Sequence, residues 1–136
     1  MIQLIELDLR KNSLSELPKE ILLLTELPKL FLDDNNLTEL PKEIKQLTQL
    51  RRLNLNNNYL RELPKEILQL TKLGSLYLED NNLSELPEEF FEELSLDYLE
   101  LGGNPNLVFT EWQENDYERI QRQMDYWESE YRDIHR

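Results

Sequence analysis

Leu4, Leu27, Leu50, Leu73 and Leu96 stand 23 residues apart, and the register never slips. The same interval separates Asn12, Asn35, Asn58, Asn81 and Asn104, and again Pro18, Pro41, Pro64 and Pro87. The unit reads L-x-x-L-x-L-x-x-N-x-L-x-x-L-P-x-E-I-x-x-L-T-x, and leucine fills 31 of the 136 positions. In Leu50-Arg51-Arg52-Leu53-Asn54-Leu55, Leu53 and Leu55 alternate as one face of a strand, so Asn54 points the other way. One such strand cannot bury its leucines alone. Copies stacked at a fixed period form a parallel sheet whose leucine columns fill one continuous core. Leu53, Leu55, Leu60, Leu63, Ile67 and Leu70 supply one layer of it. An asparagine recurring where the chain leaves the strand carries two donors and an acceptor for backbone groups the turn orphans, so Asn12, Asn35, Asn58, Asn81 and Asn104 are expected to form a five-membered hydrogen-bonded ladder. Each proline falls where no sheet N–H is needed. The Lys65-Glu66-Ile67 stretch that follows Pro64 reads as a short 3₁₀ or extended turn.

This unit resembles the leucine-rich repeat, over residues 4–107, with four full repeats and a partial fifth. Within that family it is most similar to the 23-residue class with L-P-x-x-I on the convex side, found in bacterial and Ras-group intracellular proteins. The resemblance implies an α/β fold: a right-handed solenoid with a curved parallel sheet, repeats starting at 4, 27, 50, 73 and 96. It also implies protein–protein recognition through the concave face, without cofactor or catalysis. Relatives of this class scaffold signalling proteins, bind GTPases, or serve as recognition parts of bacterial effectors.

A solenoid exposes an apolar cross-section at each end. Residues 1–110 read as the solenoid and 111–136 as a helical cap, because the repeat stops and Tyr117, Ile120, Met124, Trp127, Tyr131 and Ile134 follow at steps of three and four. Asn115 with Glu118 offers a capped helix start, and Thr110 with Gln113 a competing one. Trp112 and Trp127 are expected to cover the leucines of the last repeat. At the other end Met1-Ile2-Gln3-Leu4 enters the first repeat directly, leaving Ile2, Leu4, Leu7 and Leu9 beside an open strand edge. A structural role, self-assembly as a homodimer through this edge or through the C-terminal helix, is the alternative function.

Strand residues facing away from the leucines carry the information, because the core does not dictate them. The central column runs Asp8, Phe31, Asn54, Tyr77, Glu100, with Phe31 and Tyr77 flanking Asn54 at about 10 Å and Tyr98 nearby. Aromatics and arginine are the types enriched at binding hot spots. Lys29, Arg51 and Arg52 lie at strand starts, whereas Asp33, Asp34, Glu79 and Asp80 lie at strand ends, a banding that would orient a partner. The candidate partner-binding set is therefore Lys29, Phe31, Asp33, Arg51, Arg52, Asn54, Tyr77, Glu79, Tyr98 and Glu100.

Charge and composition narrow the function. A net charge of −13 argues against nucleic acid and against anionic membranes. Without cysteine there are no disulfides and no thiolate chemistry. One histidine, His135 near the end of the sequence, gives no zinc site of ordinary ligand count. Asp33-Asp34 and Glu79-Asp80 read as a solvated acidic rim rather than a calcium or acid–base site. Gly102-Gly103 reads as a turn, not a phosphate loop. No run approaches the roughly 20 apolar residues that cross a bilayer, and Met1–Arg10 lacks the order of a signal peptide, which points to the cytoplasm, or to secretion as an effector by a signal of another kind.

Overall fold

Each leucine pair buys burial only by meeting the next repeat, and the computed structural model, which describes residues 3–134, is built on that dependence. Five short strands, β1 (Glu6–Asp8), β2 (Lys29–Phe31), β3 (Arg52–Asn54), β4 (Ser75–Tyr77) and β5 (Tyr98–Glu100), form one parallel sheet in sequence order. The register is in phase throughout: Leu7, Leu30, Leu53, Leu76 and Leu99 lie side by side. Behind the sheet each repeat returns through a tight segment. Three are 3₁₀ turns, Lys19–Leu23, Lys42–Gln46 and Lys65–Gln69, and the fourth is a single α-turn, α1 (Phe90–Glu93). In each, the preceding proline carbonyl accepts the first N–H, from Ile21, Ile44, Ile67 and Phe90 at 3.0–3.1 Å. Phe90 occupies the isoleucine column and is fully buried.

Interior layers are closed. Leu53, Leu55, Leu60, Ile67 and Leu70 are all 0% exposed. Burial of each such side chain is worth about 2 kcal/mol relative to exposure. Among the described residues the first layer is covered on one side only, and Leu7, Leu9 and Leu14 are half-buried and Leu4 is 47% exposed. Ile2 lies outside the described residues.

The asparagine ladder has four rungs rather than five. Asn35, Asn58, Asn81 and Asn104 each donate Nδ2–H to a carbonyl of the preceding repeat, Leu9, Leu32, Leu55 and Leu78, at 2.9–3.0 Å. Their Oδ1 atoms accept the N–H of Leu14, Leu37, Leu60 and Leu83, again in the preceding repeat, at 2.9–3.0 Å. Among the described residues Asn12 has no carbonyl of a neighbouring repeat to reach; it is exposed, and its Nδ2 donates to Arg10 O at 3.1 Å. One residue before each asparagine the chain turns through positive φ, at Lys11, Asp34, Asn57, Asp80 and Gly103.

The far end is closed by α2 (Glu111–Ile134). The helix starts at Thr110, not at Asn115: Gln113 N–H donates to Thr110 Oγ1 and Thr110 N–H to Gln113 Oε1, both at 3.2 Å. This reciprocal pair satisfies two backbone donors of the end, which Asn115, one turn inside, cannot do. Gln113 is itself buried and donates Nε2–H to Pro87 O at 3.2 Å. Ile120 and Met124 pack on the last layer, and Tyr117 lies 5.3 Å from the Phe109 ring. The two tryptophans do not cover the leucines. Trp112 is 74% exposed because it sits about 100° around the helix from the inward-facing Gln113. Trp127 has the right phase yet is 48% exposed, having run past the edge of the layer, and it stacks edge-on with Tyr126 instead. The side chains of Tyr131 and Ile134, and His135 altogether, lie outside the described residues. Among the described residues no helix is long and apolar enough to cross a membrane.

Candidate functional site: the concave face of the sheet

Residues 52 and 54 share a face of β3, because side chains alternate along a strand. Phe31 and Tyr77 stand level with Asn54 on the strands to either side. What lies between the two rings, however, is the guanidinium of Arg52. Its Cζ is 5.3 Å from the Phe31 ring centroid and 4.8 Å from that of Tyr77, within cation–π range of both. Asn54 is buried beneath and accepts Arg52 Nε–H at 3.0 Å. The network continues toward the strand ends. Asn54 Nδ2–H reaches Asp33 Oδ2 at 3.5 Å, Asn56 N–H donates to Asp33 Oδ1 at 3.1 Å, and Glu79 N–H donates to Asn56 Oδ1 at 2.8 Å.

Charge is arranged unevenly on this face. Burial pushes the Asp33 carboxyl above its ordinary value, although the hydrogen bonds from Asn54 and Asn56 oppose this. The Glu100 carboxyl is pushed up to about 7, first by sharing a proton with Glu79, then by burial, with Glu128 of α2 adding repulsion and Arg52 pulling the other way. Burial likewise raises the Tyr77 hydroxyl. At the open end, Arg10 holds Asp8 down at about 2 through side-chain and backbone hydrogen bonds.

Of the ten candidate residues, Phe31, Asp33, Arg52, Asn54 and Tyr77 form one connected cluster, and Glu79 and Glu100 adjoin it. Tyr98 is half-buried at the start of β5 and packs partly on the core. Lys29 and Arg51 are exposed at the strand starts and make no ion pair among the described residues. Sequence reasoning places Arg10 on this face but leaves it out of the candidate set; its Cζ lies 5.7 Å from the Phe31 ring. The signal was present: Arg10 follows Asp8 by two, so both point to the same face.

The leucine-rich repeat family model matches this chain over residues 2–60 and 48–105. No curated protein matches it. Among solved structures, a leucine-rich repeat protein of Leptospira interrogans is 37% identical with a TM-score of 0.62, over 76% of this chain and 31% of its own. The functional domain of InlJ from Listeria monocytogenes, described as including a cysteine ladder, is 26% identical with a TM-score of 0.65, over 76% of this chain and 21% of that one. The leucine-rich repeat domain of the type III effector XopL is similar in fold, at 21% identity, a TM-score of 0.57, and 76% and 53% coverage. The chain thus spans less than a third of the first two proteins. InlJ's ladder is cysteine, whereas the rungs here are asparagine amides. With the family model matched over most of its length and its strands, convex turns and ladder all in one register, the chain belongs to the leucine-rich repeat family.

Proposed function

We propose that this chain is a non-catalytic recognition module that binds a protein partner, as an extended segment or a small domain, across the concave side of β2–β5. Leucine-rich repeat domains are generally protein-interaction modules. The observation that carries the concave assignment is the Phe31–Arg52–Tyr77 stack. These side chains are only half-buried and contribute nothing to the leucine core, yet they are fixed against one another. A partner that covers them meets large, rigid side chains whose ordering cost has already been met in folding. Five strands at about 4.8 Å give a face only ~20 Å wide, so the roughly 800 Å² of an ordinary interface requires the rims or a slender ligand. In this reading residues 1–110 present the surface and 111–136 close it.

The test is a combined Phe31→Ala, Arg52→Ala, Tyr77→Ala variant, checked for an unchanged melting profile and compared with the wild type in quantitative affinity capture from the source organism. Loss of the partners captured by the wild type is the expected result. Identical recovery overturns the concave assignment.

A second reading, self-association through β1, is favoured by the 47% and 69% exposure of Leu4 and Ile5 beside an edge strand. Light scattering over a concentration series decides it: a monomer at all concentrations dismisses this role.

A further inference from the structure

Arg10 and Arg52 contact the same Phe31 ring and differ in what their guanidinium groups hold. Arg10 is satisfied: Nε and Nη2 donate to the two oxygens of Asp8 at 2.9 and 2.7 Å, a bidentate pair. Arg52 commits only Nε, to Asn54 Oδ1. Among the described residues, neither of its terminal nitrogens meets an acceptor, and it forms no ion pair. The acid beneath the cluster, Asp33, is already engaged by Asn54 and the Asn56 N–H.

A flexible arginine normally loses much of any ion-pair energy to the ordering of its own side chain. Here two rings and a buried amide hold the group, so that loss has been taken before a ligand arrives. A planar fork with two adjacent unpaired N–H edges matches a planar oxyanion, bidentate. We propose that the concave face recognises a carboxylate carried by an extended peptide, docked end-on to Nη1 and Nη2 of Arg52 between Phe31 and Tyr77. This rests on the reading of the concave face as a recognition surface.

The surroundings select a carboxylate over a phosphate. Asp33, Glu79 and Glu100 border the stack, and the chain as a whole carries −13. A phosphate monoester near pH 7 brings almost twice the charge of a carboxylate and meets correspondingly more repulsion. The shared proton of the Glu79–Glu100 pair removes part of the neighbouring negative charge near neutrality, which leaves Arg52 less compensated than a count of acids suggests.

The experiment uses a library of randomised peptides displayed through their N-termini, so that each C-terminus is free, selected on the whole chain. Binders are then synthesised with amidated and with free C-termini. On the wild type, binders share an acidic residue, and its replacement by glutamine weakens binding by about tenfold to a hundredfold, the range of a bidentate charge-assisted pair. On Arg52→Gln, glutamate and glutamine peptides bind alike. Arg52→Lys keeps the charge without the fork and recovers only a small part of the difference. A binder that needs its free C-terminus instead of an internal acid assigns the carboxylate to the chain end. Binders that lose affinity on Phe31→Ala/Tyr77→Ala yet show no acidic preference overturn this inference and leave the recognition reading standing. Binders indifferent to Phe31 and Tyr77 overturn both. Tighter binding of phosphoserine than of glutamate at the selected position overturns the choice of carboxylate.

Discussion

Gln121 donates its side-chain Nε2–H to the Leu99 carbonyl at 2.7 Å, and two turns of α2 thereby stand in for a sixth strand. β5 is the last strand of the sheet, and its outer backbone groups would otherwise be orphaned. Tyr117 from the same helix accepts the Leu101 N–H on its hydroxyl at 3.3 Å. The cap is therefore a polar closure as well as an apolar one. Gln121→Leu with Tyr117→Phe keeps the packing and deletes both bonds. The expected cost is about 1–3 kcal/mol, or a fall in Tm of several degrees, because part-buried backbone groups lose partners. An unchanged Tm by calorimetry would show that water replaces both side chains at no cost.

The ladder asparagines, identical in the sequence, are expected to differ sharply in worth. Asn58 gives Nδ2–H to Leu32 O at 3.0 Å and takes the Leu37 N–H at 3.0 Å, all within the core. Asn58→Ala strands both groups and is expected to cost about 3 kcal/mol or more. Asn12→Ala touches only a local bond on an exposed residue and is expected to stay within roughly 0.5 kcal/mol. Urea denaturation of the two variants measures the difference. Equal losses would mean that the rungs act through their own turns rather than through the repeat before them.

That asymmetry marks where the sequence was readable and where it stopped. A strict period places leucine, asparagine and proline columns without ambiguity, since each column is the same physical environment repeated. The ends have no such averaging. Asn12 belongs to the period, but among the described residues its amide finds only the local carbonyl of Arg10 and none of the partners of a rung. Trp112 and Trp127 satisfy a loose reading of helical spacing, yet the inward stripe is fixed by Gln113 and by the extent of the last layer, neither of which a period reports. On the concave face the register of Phe31, Asn54 and Tyr77 was legible as strand alternation. That Arg52, not Asn54, fills the space between the rings was not, because a long side chain chooses among neighbours only once the strands are assembled.

Two adjacent glycines are expected to respond in opposite ways to the same substitution. Gly103 adopts φ 73°, and a Cβ there would overlap the Asp80 carboxylate and stand 2.9 Å from the Asp80 nitrogen. Gly102 has nothing within 4 Å of a Cβ. Gly103→Ala is expected to lose about 2 kcal/mol or more through strain and contact with a neighbouring backbone. Gly102→Ala is expected to be neutral or slightly stabilising, by restricting the unfolded chain. Thermal melts of both variants give the comparison. A Gly103→Ala protein as stable as Gly102→Ala would mean that the turn shifts freely away from the preceding repeat.

Stability is expected to fall as pH rises across the range in which Glu100 differs between folded and unfolded chains. An unfolded glutamate loses its proton near 4.5, whereas Glu100 in the fold keeps it to about 7, chiefly because Glu79 shares it. Between these values the native state binds more protons than the unfolded state, so the slope of unfolding free energy with pH is negative there and flat above the upper one. Asp8 has the opposite sign: held at about 2 by Arg10, it adds stability above its ordinary value and gives it up as pH falls toward the lower one. The groups facing Glu100 are Glu79, Glu128, Arg52, Tyr77 and Tyr117, and only the first two are carboxylates that make its ionisation costly. Glu100→Gln keeps the shape and cannot ionise. The variant is therefore expected to match the wild type at about pH 4 and to exceed it at about pH 8, the gap opening through the interval set by Glu100. Urea midpoints measured across that range test it against the general repulsion of an acidic chain, which both proteins share. Parallel curves would place the two carboxylates too far apart in solution to share a proton.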